Sequence, residues 1–185
     1  MNRIPKKYAC KLTLDQNTAH RRLQLSDSNT RAVHQDDDLP YPDHPDRFCH
    51  WEQVLSVERL TGRCYWEVEW TGRVEVAVCY AGIRRRDGSD CLFGLNDQSW
   101  RLYGSRDGYN ACHNNHLTPV QTPLTCSGRV AVYLDWEAGQ LTFYSISPRT
   151  HALIPLHTYS TTFTQPLLAG FRVYEYSALQ ICEII

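Results

Sequence analysis

The stretch Cys64-Tyr65-Trp66-Glu67-Val68-Glu69-Trp70 constrains this chain most. Cys64, Trp66, Val68 and Trp70 fall at one parity, and Tyr65, Glu67 and Glu69 at the other. Successive side chains of a strand point to opposite faces, so this period of two predicts a half-buried strand with the Trp-bearing side inward. Val74, Val76, Val78 and Tyr80 repeat the pattern, as do Val130, Val132, Leu134 and Trp136. A glycine-containing turn, Glu137-Ala138-Gly139, follows, and Leu141, Phe143 and Ser145 return, so residues 129–145 read as a hairpin.

Weaker strand signals fall at Cys10–Leu14, Ala32–His34, Gln53–Leu55, Ser99–Tyr103, Tyr109–His113, Ile154–Tyr159, Pro166–Gly170 and Leu179–Ile184. No window carries a sustained helical period. Many short strands at regular spacing predict an all-β fold, an antiparallel β-sandwich of two sheets. The segment 36–46 packs five Asp and three Pro into eleven residues and reads as a loop. Arg84-Arg85-Arg86-Asp87-Gly88-Ser89-Asp90 reads as a charged turn, and the first nine residues as a tether.

The chain has 185 residues, enough for one domain. Its 19 Lys+Arg nearly cancel 20 Asp+Glu, which argues against a nucleic-acid partner held by net positive charge. No apolar run approaches the roughly 20 residues of a membrane span. The N-terminus has no apolar core of the signal-peptide kind, and a cytoplasmic location is expected. The 8 Cys include no Cys-x-x-Cys pair. Several lie inside strand-like runs, where a free Cys behaves as a small hydrophobe, so mostly free thiols are expected.

Catalysis needs a nucleophile, a base and a stabiliser in one place. There is no Gly-x-Ser-x-Gly elbow and no phosphate-binding glycine loop. Cys112, His113 and His116 could in principle hold zinc, but adjacent residues of a strand face opposite sides. The Asp36–Asp38 run lacks the order of a calcium loop. No catalytic residue, metal or cofactor is therefore expected. Arg outnumbers Lys sixteen to three, with Lys6, Lys7 and Lys11 all at the N-terminal end. Tyr41, Tyr80, Tyr103, Tyr109, Phe171, Tyr174 and Tyr176 are the aromatics read as candidate contacts, since Tyr and Trp dominate binding hot spots.

Several motifs in order resemble the PRY-SPRY (B30.2) family over nearly the whole chain. Leu14-Asp15-Gln16-Asn17-Thr18-Ala19-His20 is close to Leu-Asp-Pro-x-Thr-Ala-His, with Gln16 where the family has Pro. Pro45-Asp46-Arg47-Phe48 follows, then Trp66-Glu67-Val68-Glu69, Ser99-Trp100, Leu134-Asp135-Trp136-Glu137 and Gly170-Phe171. The flavour is similar to fish versions in tripartite-motif ubiquitin ligases, NLR-type immune receptors and stonustoxin-like proteins. The resemblance implies a bent sandwich with a PRY segment at 10–60 and a SPRY segment at 61–185. It implies a monomeric, non-enzymatic module of innate immunity that binds a protein or peptide through variable loops. Carried over by spacing from the motifs, the pocket falls on Glu75, Tyr103 and Phe171. Glu75 is expected to grip a partly basic or polar peptide. Arg73, Tyr41, Arg85 and Tyr109 belong to the flanking loops. Trp66, Glu67, Asp135 and Trp136 are expected to be structural. A glycan-binding sandwich and a toxin domain are the rival readings.

Overall fold

The computed structural model describes residues 5–86, 88–120 and 127–184, so Asp87 and Cys126 lie outside the described residues. The strands are β1 (Leu23–Ser26), β2 (Arg31–His34), β3 (Gln53–Leu60), β4 (Arg63–Thr71), β5 (Val74–Tyr80), β6 (Ser99–Ser105) and β7 (Gly108–His113). They continue as β8 (His116–Val120), β9 (Arg129–Asp135), β10 (Gln140–Ile146), β11 (Leu153–Ser160), β12 (Leu167–Val173) and β13 (Ala178–Ile181). One sheet has seven strands in the order β1-β2-β13-β4-β9-β10-β11, and the other six in the order β3-β12-β5-β6-β7-β8. Neighbouring strands run antiparallel, giving the all-β, two-sheet architecture that the alternation predicts.

The inward parity of each strand supplies the core between the sheets. Trp66 and Val68 of β4, Val74, Val76 and Val78 of β5, and Val130, Val132 and Leu134 of β9 join one buried cluster. A fully buried side chain of this size stabilises by about 1.5–3 kcal/mol. A slip of one residue would turn a whole strand's set outward, so register is tightly held. The hairpin at 129–145 is present as β9 and β10. Its turn ends at Gly139, where φ is +70° and a Cβ would collide with the Thr161 carbonyl oxygen, so only glycine fits. Asn114 and Asn115, both at positive φ, form the two-residue turn between β7 and β8.

The outer faces depart from simple alternation. Tyr65 and Glu67, at the outward parity, are also buried. Tyr65 packs with Ala131, Ile146 and Leu153. Its hydroxyl donates to Glu67 Oε2 at 2.5 Å. Arg129 donates to Glu67 Oε1 from Nε and Nη2 at 3.2 and 2.9 Å. The structural role expected of Glu67 is therefore to anchor a guanidinium. Asp135 accepts the Ala138 backbone N–H, Trp136 Nε1 donates to the Gln165 carbonyl, and Trp66 is 1% exposed. On the six-stranded sheet a flap carrying Ile83, Cys91 and Phe93 packs over Leu55, Ala77, Cys79 and Leu168. Buried Gln53 holds this flap, donating to the Cys91 carbonyl at 2.8 Å and accepting from the Phe93 N–H at 3.1 Å.

Two expectations need correction, and a third meets an exception. Residues 5–9 are not a loose tether: Pro5–Tyr8 form a 3-10 turn with Pro5 buried, and Ala9 bridges Tyr65 of β4. The segment Cys10–Leu14 is not a strand; within it Leu14 makes one isolated bridge, to Ser56 of β3. The expectation of mostly free thiols meets one exception, the disulfide that joins Cys10 and Cys64. Cys49, Cys79, Cys112 and Cys182 are unbridged. Burial pushes the Cys79 thiol up to about 12, as for an inert core residue.

The turn at Asp15–His20 closes despite Gln16, with the Thr18 N–H donating to the Asp15 carbonyl at 3.0 Å. His20 is 9% exposed, and its Nδ1 accepts the Arg22 N–H at 3.1 Å, which requires an unprotonated Nδ1. Burial holds its pKa down at about 4. Between an ordinary imidazole value of about 6.5 and that value, the unfolded chain binds a proton that the folded chain does not. Stability should thus be complete above this window and fall by up to about 3 kcal/mol as pH drops through it. Urea midpoints measured across the window should lose much of that slope in His20→Gln. An unchanged slope would reassign the acid sensitivity to other groups.

Candidate functional site

A row of outward side chains crosses the six-stranded sheet. Register aligns Gln53 of β3, Arg172 of β12, Glu75 of β5, Tyr103 of β6 and Asn110 of β7. The row lies where the β4–β5 turn, with Arg73, and the segment after β12, with Tyr174, leave the sandwich.

Glu75 is the hub and is only 2% exposed. The Tyr174 hydroxyl donates to its Oε2 at 2.5 Å and Arg172 Nη1 does so at 3.4 Å. Arg101 Nε stands 3.8 Å from Oε1. Arg172 Nη1 also donates to the Tyr174 hydroxyl at 3.0 Å. Burial first, and then the Glu75 carboxylate, push the Tyr174 phenol well above its ordinary value, so it stays a donor.

Above this hub the surface is aromatic and cationic. The Arg172 and Arg73 guanidiniums lie 4.1 and 4.8 Å from the Tyr174 ring centre. Arg172 also stands 5.2 Å from the Trp51 ring. Tyr103 meets Tyr174 edge to face at 5.7 Å. Trp51 Nε1 donates to the Gly88 carbonyl, which ties the patch to the flap. Arg73 is exposed, while Tyr103, Tyr174 and Arg172 are half-buried. Stacked guanidiniums and tyrosines hold large contact area in fixed rotamers.

Of the expected pocket, Glu75, Tyr103 and Arg73 come together here. Phe171 does not. It is fully buried in the core, because Arg172 carries the outward parity of β12 and Phe171 the inward one. The surface aromatic is Tyr174, three residues on. Tyr109 is also inward, 6% exposed and edge-on to Trp70. Tyr41 lies elsewhere, its hydroxyl donating to the Leu23 carbonyl and its ring under Arg47. Arg85 is spent on the carbonyls of Ile83, Ala81 and Asp46 and stacks on Phe48. Sequence reading missed Arg172, Arg101 and Trp51. Strand parity counted through to residue 172 would have found the first.

Among the described residues, no three His, Cys, Asp or Glu converge to hold a metal ion, and no helix is long and apolar enough to cross a membrane. Cys112 is buried, and the His113 ring stacks on Trp100 at 4.5 Å.

A two-sheet antiparallel sandwich that displays a polar-aromatic patch between loops defines a recognition-type β-domain. The chain belongs to the SPRY family: the SPRY domain matches residues 63–183, and PRY, the SPRY-associated domain, matches residues 12–60. It is 41% identical over 170 residues to stonustoxin subunit beta of Synanceia horrida, covering 90% of this chain and 24% of that protein. It is 34% identical over 169 residues to tripartite motif-containing protein 16 of Mus musculus, covering 89% of this chain and 30% of that one. The chain thus spans less than a third of the length of these relatives. A stonustoxin structure superposes with a TM-score of 0.88 at 35% identity, covering 95% of this chain and 29% of that one. The crystal structure of the TRIM65 PSpry domain does so with 0.87 at 29% identity, covering 98% and 94%.

Proposed function

We propose that this chain is a non-catalytic module that recognises a protein or peptide through the patch of Arg73, Tyr103, Arg172 and Tyr174. The observation that carries this reading is the Tyr174 ring flanked by the Arg73 and Arg172 guanidiniums and fixed from below by Glu75. Glu75 is buried and its Oε2 is held by Tyr174 and Arg172, so the partner meets rings and guanidinium donors rather than an exposed carboxylate. Apolar groups with hydrogen-bond acceptors suit it better than the basic peptide expected from sequence. A cytoplasmic, monomeric, innate-immune role as the recognition part of a tripartite-motif ligase or NLR-type receptor fits the tripartite-motif relatives.

The test is a binding screen with the wild type and an Arg73→Glu, Tyr103→Ala double variant. Neither position is buried, so folding should hold. Partners caught by the wild type should bind the variant at least about 30-fold more weakly, as expected when two hot-spot contacts are lost. Equal capture by both proteins would remove the patch assignment.

A second reading, a region of a secreted stonustoxin-like protein, is favoured by the Cys10–Cys64 disulfide, since such bonds persist in oxidising compartments.

A further inference from the structure

We infer that the Cys10–Cys64 disulfide is a thiol-sensitive latch that fixes the entering N-terminal segment onto β4. The antiparallel partner of β4 on this side, β13, reaches Ile181 opposite Val68, and the Cys182 N–H still donates to the Glu67 carbonyl. Beyond that point residues 9 and 10 take over. Ala9 bridges Tyr65 in parallel, and the Cys10 N–H donates to the Tyr65 carbonyl at 3.1 Å. The segment therefore completes the seven-stranded sheet where its own strand ends.

Apart from buried Pro5, its remaining hold on the sandwich is at the surface. Lys6 Nζ stands 4.0 Å from Glu67 Oε2. The Tyr8 ring sits 5.0 Å from the Arg63 guanidinium and 6.2 Å from the Tyr133 ring. Lys6, Lys7, Ala9 and Lys11 are exposed, and core burial resumes only at Leu12. Exposed ion pairs and ring contacts contribute little each, so the covalent bond is the strong attachment.

A small thiol can reach that bond. Cys10 is half-buried and lines a groove of about 530 Å³ with Leu12, Asp27, Thr30, Gln180 and Cys182, whereas Cys64 is 3% exposed. A thiolate reductant attacks Cys10 Sγ, the sulfur–sulfur bond breaks, and Cys64 leaves as a thiolate. A second reductant thiolate then attacks the mixed disulfide and releases Cys10. Two electrons pass to the protein, the reductant becomes its own disulfide, and both cysteine thiolates take protons from water.

The sequence provides a selective readout. The three lysines of the chain, Lys6, Lys7 and Lys11, all lie in or beside the latched segment. A lysine-specific protease therefore finds its cleavage sites nowhere else. Cutting after Lys11, between the latched Cys10 and buried Leu12, should be slow in the native oxidised protein. Dithiothreitol should accelerate it at least tenfold, and Cys10→Ser should match the reduced rate without reductant. Cys182→Ser should behave as wild type. Hydrogen exchange at Ala9 and Cys10 should rise in parallel while the sandwich keeps one cooperative melt. Equal cutting rates with and without dithiothreitol would overturn the latch. So would reaction of every thiol in the unreduced native chain, or loss of the whole sandwich on reduction.

Discussion

Arg47→Met is expected to cost about 3–4 kcal/mol of folding stability, because it removes a buried cation on which two loops converge. Arg47 is 1% exposed yet faces no carboxylate. Its Nε and Nη2 donate to the Pro42 carbonyl at 3.2 and 3.0 Å, and its Nη1 to the carbonyls of Gln16 and Ala19 at 2.7 and 2.6 Å. The Tyr41 ring lies 4.8 Å from the guanidinium. Burial lowers its pKa, but an arginine remains charged at any pH where the protein folds. Methionine fills the space and leaves the Pro42 and Ala19 carbonyls without donors, while the Gln16 carbonyl keeps only the Ala19 N–H. Arg47→Lys should recover only part of the loss, since a compact ammonium cannot reproduce the planar fork. The measurement is the urea midpoint at unchanged slope. A loss below about 1 kcal/mol would mean that water replaces the guanidinium without difficulty.

Glu75→Ala should be destabilising on the same scale, about 3–5 kcal/mol, for the opposite reason. It leaves the Arg172 and Arg101 guanidiniums and the Tyr174 hydroxyl facing an empty acceptor site. The replacement should also weaken partner binding, by freeing Tyr174 and Arg172 from their fixed rotamers. Arg73→Glu separates the two effects: it should alter binding while the melting temperature stays within a few degrees. Near-wild-type stability in Glu75→Ala would show that the guanidiniums find water instead, and that the hub is not what holds the patch.

The inward half of this fold was legible from residue parity alone. Cys64, Trp66, Val68 and Trp70 need only local alternation to be placed. The outward half was not, because what covers it comes from far along the chain. Tyr65 reads as solvent-facing until residues 146 and 153 are known to lie over it. Glu67 reads as a surface charge until Arg129 is set beside it by the β4–β9 register. The patch was legible in part for the same reason. Motif spacing reached Glu75 and Tyr103, but the switch from Phe171 to Tyr174 depends on where β12 begins. Cys10 and Cys64 stand 54 positions apart, and nothing in their local sequence distinguishes that pair from the others.

The strand order also governs when the chain can become a sandwich during synthesis. Hydrogen bonds join β1 and β2 to the rest of their sheet only through β13, and β3 to its sheet only through β12. Strands β1, β2 and β3 therefore wait without their sheet partners until β12 and β13 have been made. Until then the inner faces of β4, β5 and β9 stand bare on the side that the early strands will close. A nascent chain of this topology needs shelter from its neighbours until β12 and β13 are made, and a nonsense codon ahead of them would leave both sheets open.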